Sequence, residues 1–229
     1  NDKYVLNDAQ AVIACNKAVF NKVAARSPFL KEKLHYVPHG LILDNWQFSD
    51  KEIQQDVLRF ICIGRLVKKK NPLRAIEIIQ ALNKAGIASE LSIVGNGEML
   101  PDLKARADAS ITFKQPILRS EVNSELINHD ILIICSEELA NGDMEGLPNT
   151  VLEAMASGTI VMAYNSGSIT EAICEETGFI MTAGDEVNTV QKLLKSDLSK
   201  IKNNARQLIE EKYSAESLIQ KKSELLIST

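Results

Sequence analysis

The sequence predicts an α/β fold built on a doubly wound parallel sheet, followed by a helical C-terminal tail. Three observations carry this. Short apolar runs recur along the chain, almost unbroken by polar residues, as strands buried on both faces require. Stretches of helical periodicity separate most of them and end at stop signals such as Gly86 and Gly158. Helical crossovers between hydrophobic strands then favour parallel pairing, with helices on both faces.

The expected strands are residues 11–15, 34–37, 58–63, 90–94, 111–113, 131–135, 159–163 and 178–181. Expected helices include 72–85, 99–109, 121–128 and 149–157. Residues 1–37 carry a small strand–helix–strand unit of their own, and 38–49 read as an irregular, polar linker. From Asp185 to Thr229 the pattern is helical, with Ser214 capping a last helix over 215–226.

Composition narrows the function. With 229 residues, 45% hydrophobic and 24% charged, the chain has ample apolar surface for a core. A net charge of −4 gives no general attraction for nucleic acid or anionic lipid, so nucleic acid is not an expected partner. An anionic ligand must therefore be held by local cations and backbone dipoles. Cys15, Cys62, Cys135 and Cys174 are dispersed, form no C-x-x-C pair, and read as reduced structural thiols in a cytoplasmic setting. No apolar run approaches the about 18 residues of a membrane span, and no signal-peptide pattern opens the chain.

Open parallel sheets bind ligands at the carboxyl ends of their strands. The chemistry is therefore expected just after Ile63, Val94, Phe113, Cys135 and Ala163. After Ile63 come Gly64, Arg65 and a run of three lysines, Lys68 to Lys70, directly before a helix that opens at Pro72. Arginine offers a fork of donors to phosphate oxygens and lysine adds a point charge, so this is a candidate anion seat. A solvated basic loop is the plain alternative. After Val94, the Gly95-Asn96-Gly97 turn reads as one that lets a ligand approach the backbone.

The second candidate runs from Gly142 to Gly158. Pro148 is placed as the first helical residue, which leaves the amides of Asn149, Thr150 and Val151 pointing out of the helix start toward an anion. Glu145 lies before this helix and Glu153 about one turn into it. Two carboxylates so placed can address different parts of one elongated ligand, and a carboxylate suits paired ribose or sugar hydroxyls. Taken singly, each is equally well a surface charge.

The segment Glu-Gly-Leu-Pro-Asn-Thr-Val-Leu-Glu-Ala-Met-Ala-Ser-Gly, from Glu145 to Gly158, resembles the signature of family-4 retaining glycosyltransferases. Gly64-Arg65-Leu66 with Lys70 resembles that family's diphosphate-binding loop, and Gly95–Gly97 and Asn165–Gly167 match in order. The likeness runs from about Val12 to Tyr213. It implies the Rossmann-like C-terminal half of a GT-B fold: residues 41–212 as the nucleotide-sugar-binding domain and 213–229 as a crossover helix. Residues 1–40 would be the last piece of an N-terminal acceptor domain that is otherwise missing, plus linker. His39 stands where that family's crossover usually has asparagine, and Asn71 where glycine is common.

By the same resemblance, Arg65 and Lys70 bind the donor diphosphate and stabilise the leaving group without metal, although Lys69 is an alternative to Lys70. Glu145, with the backbone of Gly146, Leu147 and Pro148, contacts the donor sugar. Asn149, Thr150 and Val151 face the phosphates, Glu153 binds the ribose, and the base stacks near Pro116 and Ile117. The implied reaction is retaining hexosyl transfer from a UDP- or GDP-sugar to a sugar or lipid-linked acceptor, in bacterial surface-polysaccharide assembly. No true cofactor is implied, and peripheral contact with the inner membrane face is. A sugar-nucleotide epimerase would not bring the Glu145–Glu153 pattern; a nucleotide-sugar-binding module without turnover is the other alternative.

Overall fold

The structure, a computed structural model, describes residues 6, 8–54, 56–140, 143 and 145–227. Its centre is a six-stranded sheet in the order β5-β4-β3-β6-β7-β8, parallel at every pairing. The strands are β3 (Leu58–Ile63), β4 (Ser89–Val94), β5 (Ile111–Lys114), β6 (Ile131–Ile134), β7 (Ile160–Tyr164) and β8 (Phe179–Met181). The strand order steps outward from β3 to β5, then returns to β3 on its other side with β6. This reversal is a topological switch point, where the connections at the carboxyl edge diverge and leave a crevice.

Each strand feeds both faces because successive side chains alternate. Phe60, Ile131, Ile133 and Met162 join one core, with Ile76 and Ile79 of α2 (Pro72–Lys84), Leu103 of α3 (Leu100–Arg106) and Leu193 of α6 (Glu186–Leu194). Ile61, Leu132, Ile134 and Val161 join the other. It holds Leu126 of α4 (Arg119–Ile127), Met155 of α5 (Asn149–Ser157) and Ala205 of α7 (Leu198–Leu208). A π-helical turn, Ile209–Tyr213, leads into α8 (Ala215–Ile227). As expected, Ser214 caps that helix, its hydroxyl accepting from the Ser217 amide at 3.1 Å.

The small N-terminal unit also forms as expected. β1 (Val12–Ala14) pairs in parallel with β2 (Leu34–Tyr36), and α1 (Lys17–Arg26) connects them. The segment 38–49 is irregular but is not a polar linker. Leu41 and Trp46 are buried in the core beside α5, and the Ser49 amide donates to Ser157 O. Leu41 and Trp46, with Leu43 packed beside them, pin the segment across the helices. Two helices also shift: α3 is shorter than 99–109, and α4 begins at Arg119 rather than Glu121. Glu121 turns back to accept from the Leu118 amide at 2.7 Å, so it lies inside the first turn. Among the described residues, no helix is long and apolar enough to cross a membrane.

Arg59 and Asp130 hold β3 to the start of β6. The Asp130 carboxylate accepts from the Arg59 amide at 2.9 Å and from its guanidinium at 2.8 and 3.1 Å. Asp130→Ala should therefore cost about 2 kcal/mol, as removal of a charge-assisted network predicts. Thermal unfolding should show a midpoint lower by roughly 4–8 °C.

Candidate functional site

A cleft of about 430 Å³ opens at the switch point. One wall is the loop after β3, with Gly64, Arg65 and Lys70; the other is the run Glu145 to Thr150 at the start of α5. The two segments singled out in the sequence thus meet, although 75 residues separate Lys70 from Glu145.

Lys70 Nζ donates to Glu145 Oε2 at 2.9 Å. Lys69 turns the other way, onto Asp143 at 3.0 Å, with Glu145 at 3.8 Å. Of the two lysines, Lys70 is therefore the one lining the cleft. Asp143 and Glu145 each face a lysine; Gly142 and Met144 of the same motif lie outside the described residues. Arg65 is exposed and makes no ion pair with a described residue, so its full charge faces the cleft. Asn71 closes the lysine turn in the left-handed region (φ 43°, ψ 53°), which asparagine tolerates better than most residues.

Two glycines hold these walls. Gly95 (φ +150°) lies against the β3 loop, where a Cβ atom would stand 1.9 Å from Gly64 O. Leu66 bonds to the same turn, its amide to Asn96 O at 2.9 Å and its carbonyl to the Met99 amide at 3.0 Å. The two glycines of the Gly95–Gly97 turn thus make room for the backbone of the β3 loop, a role the sequence-based expectation did not include. Gly167 (φ +61°) does the same for the other wall, where a Cβ would meet Glu145 O at 1.8 Å.

Two further expectations change at α5. Pro148 is the N-cap and not the first helical residue, with φ −64° and an extended ψ of 136°. Its carbonyl accepts from the Val151 amide at 3.0 Å, and Val151 is fully buried. An N-cap carbonyl starts the helical ladder and so takes that amide from any ligand. Asn149 and Thr150 line the cleft, and their amides bond to no described residue.

Glu153 and Ile117 do not line this cleft. Ile117 is half-buried against the α4–α5 side of the core. Glu153 is no exposed helix residue: its side chain is 5% exposed and pairs with Arg119 at 3.2 Å. Burial pushes its carboxyl above the usual range, and Arg119 draws it part of the way back.

The sequence reading missed Cys15 and Asn16 as cleft residues, and His39 also lines it. A signal existed for Asn16, a favoured capping type at a helix start. Its Oδ1 caps α1 through the Val19 amide at 2.8 Å and accepts from the Ser168 hydroxyl at 3.3 Å. Next to it, Glu171 accepts from the Lys17 amide at 2.7 Å and from Tyr36 Oη at 2.6 Å. The cysteines form no disulfide; burial lifts the Cys62 thiol to about 11 and also raises Cys135, which keeps both protonated at neutral pH.

Glu153 also makes a stability prediction. Its folded-state carboxyl binds protons more tightly than an unfolded one, so its contribution to stability is present at low pH. That contribution is lost as pH rises through the raised folded value. Glu153→Gln removes this dependence. Urea unfolding should show the variant gaining on the wild type between pH 4 and pH 7, and a constant difference would contradict the burial assignment.

Comparison with known proteins agrees with this geometry. The family model described as glycosyl transferases group 1 matches residues 45–221. The amylovoran biosynthesis glycosyltransferase AmsK of Erwinia amylovora is 29% identical over 160 residues, 67% of this chain and 39% of its own length. The putative colanic acid biosynthesis glycosyltransferase WcaL of Escherichia coli K12 is 26% identical over 198 residues, 80% of this chain and 49% of its own. The chain thus spans half or less of these relatives. The crystal structure of Anabaena Alr3699/HepE in complex with UDP and glucose matches with a TM-score of 0.80 at 18% identity. It covers 96% of this chain and 64% of that one, a likeness of fold. Sheet order, switch-point cleft and family match agree: the chain belongs to the group 1 glycosyl transferases and carries their C-terminal, Rossmann-like GT-B domain.

Proposed function

We propose that this chain is the donor-binding part of a retaining glycosyltransferase that moves a hexose from a UDP- or GDP-sugar to a sugar or lipid-linked acceptor. The observation that carries the reading is the convergence of Arg65, Lys70 and the open amides of Asn149 and Thr150 on one cleft. The similarity to two relatives named for exopolysaccharide biosynthesis supports a role in bacterial surface polysaccharide. A structural neighbour holding UDP and glucose supports the nucleotide-sugar class.

In this reading the donor diphosphate lies between Arg65 and the start of α5. Cleavage of the anomeric C–O bond leaves charge on the phosphate oxygen, and Arg65 and Lys70 stabilise it as it develops. Two cations and a helix start make a divalent ion unnecessary. A diphosphate also competes with Glu145 for Lys70, which frees the Glu145 carboxylate for sugar hydroxyls beside the Gly146–Pro148 backbone. The nucleoside extends beyond the cleft's own lining toward the α4–α5 side, with the ribose at Glu153 and the base near Ile117. Residues 41–212 form the donor domain, and residues 1–40 and 213–229 join it to the acceptor side.

Arg65→Ala should weaken UDP or GDP far more than the bare nucleoside. A charge-assisted hydrogen bond is worth about 1.5–3 kcal/mol, so roughly a tenfold to hundredfold loss is expected. Equal losses for both ligands would remove the β3 loop from the phosphate seat.

Transfer requires donor and acceptor held together in a water-poor cleft. These 229 residues should bind the nucleoside diphosphate with or without EDTA, yet transfer no sugar. Calorimetry tests the first expectation and a radiolabelled donor the second; robust turnover would place the acceptor site within this chain.

A further inference from the structure

The β5–α4 loop presents an unusual pair. Arg119, in the first turn of α4, has a side chain 69% exposed to solvent, yet its guanidinium lies 3.2 Å from Oε1 of the buried Glu153. The guanidinium also lies over the ring of Trp46, with its carbon 5.8 Å from the ring centroid. Trp46 is itself buried, so the guanidinium touches both a fixed aromatic face and a fixed carboxylate. No described residue donates to the second oxygen, Oε2.

Other charges near α5 are engaged elsewhere. Glu121 accepts from the Leu118 amide, Glu125 pairs with Lys114, and Arg206 of α7 bonds to Ala156 O at 2.8 Å and to Glu210 at 2.7 Å. Arg119 is thus the charged group that offsets the burial of Glu153 among the described residues.

We propose that Arg119 is a positioning residue for ribose recognition: it holds the Glu153 carboxylate ionised and oriented, leaving Oε2 to accept the ribose hydroxyls of the donor nucleotide. This rests on the assignment of Glu153 to the ribose. Without the guanidinium, the buried carboxyl takes up a proton at higher pH and turns from acceptor to donor. Arg119 therefore sets the pH range over which a ribonucleotide is bound tightly, without touching the nucleotide itself.

The test is calorimetric titration of the wild type, Arg119→Gln, Arg119→Lys and Glu153→Gln with UDP, GDP and their 2′-deoxy counterparts from pH 5 to 8. Arg119→Gln should weaken the preferred ribonucleotide about threefold to tenfold at pH 7, within the worth of one charged contact. It should change the 2′-deoxy nucleotide less than about twofold, and the loss on acidification should begin at higher pH. Arg119→Lys, which keeps the charge, should restore the pH profile. Loss of the guanidinium leaves the buried carboxylate uncompensated, so the Arg119→Gln thermal midpoint should fall at pH 7 and recover toward pH 5. If Glu153→Gln abolishes the ribose preference while Arg119→Gln leaves affinity and pH profile untouched, the Arg119 assignment falls and the ribose assignment stands. Equal losses for ribo- and deoxyribonucleotide in Arg119→Gln overturn it in the same way. If Glu153→Gln leaves the preference intact, both assignments fall together.

Discussion

The cleft depends on two places where one stretch of backbone lies directly against another. Gly64 O rests on Gly95, and Glu145 O rests on Gly167, each at a distance that a single methyl group would close. In both cases a loop that carries charge is seated on a turn that carries none. The supporting turns follow β4 and β7, the strands that flank the central pair β3 and β6. The charged loops thus take their positions from the sheet through carbonyl contacts, and their side chains are left for other work. Side-chain packing alone would hold such loops less firmly, because it leaves each carbonyl free to rotate.

Charge within the cleft is nearly balanced before any ligand is considered. Lys70 faces Glu145 and Lys69 faces Asp143, whereas Arg65 carries its charge toward the opening. A net acidic protein can in this way present one local cation to an anion without a broad positive surface. The Lys70–Glu145 pair is half-buried, so removal of either partner would leave a charge in a poorly hydrated place. That cost keeps the two loops in register across the switch point.

Much of this was legible in the sequence, and the illegible parts have physical causes. The six strands of the main sheet were visible as apolar runs, because a sheet covered on both faces needs continuous hydrophobicity. Arg65, Lys70 and Glu145 to Thr150 were visible because strand carboxyl edges gather unusual residues. The supporting role of Gly95 was not, since a glycine that admits a ligand and one that admits a carbonyl look the same in a sequence. Val151 was misjudged by one residue of helix phase: Pro148 could open the helix or cap it, and only ψ distinguishes these. Trp46 and Arg119 escaped notice because Arg119 meets Trp46 and Glu153 across more than thirty positions of sequence in each direction. Pairings of that range leave no local pattern.

The bonds made by Asn16 and Glu171 give the cleft a mechanical property. Asn16 caps α1 and also meets Ser168, whose amide lies 3.5 Å from the Gly146 carbonyl. Glu171, three residues on, clasps both the first amide of α1 and the hydroxyl of Tyr36 at the end of β2. The N-terminal unit is thus fastened to the segment lying beneath the α5 loop, at points on two of its own elements. Anchoring at several points resists tilting, where a single tether would act as a swivel. Any torque applied to the α1–β2 unit is delivered to the floor under Gly146, and slippage there would require several hydrogen bonds, each worth about 1 kcal/mol, to part together.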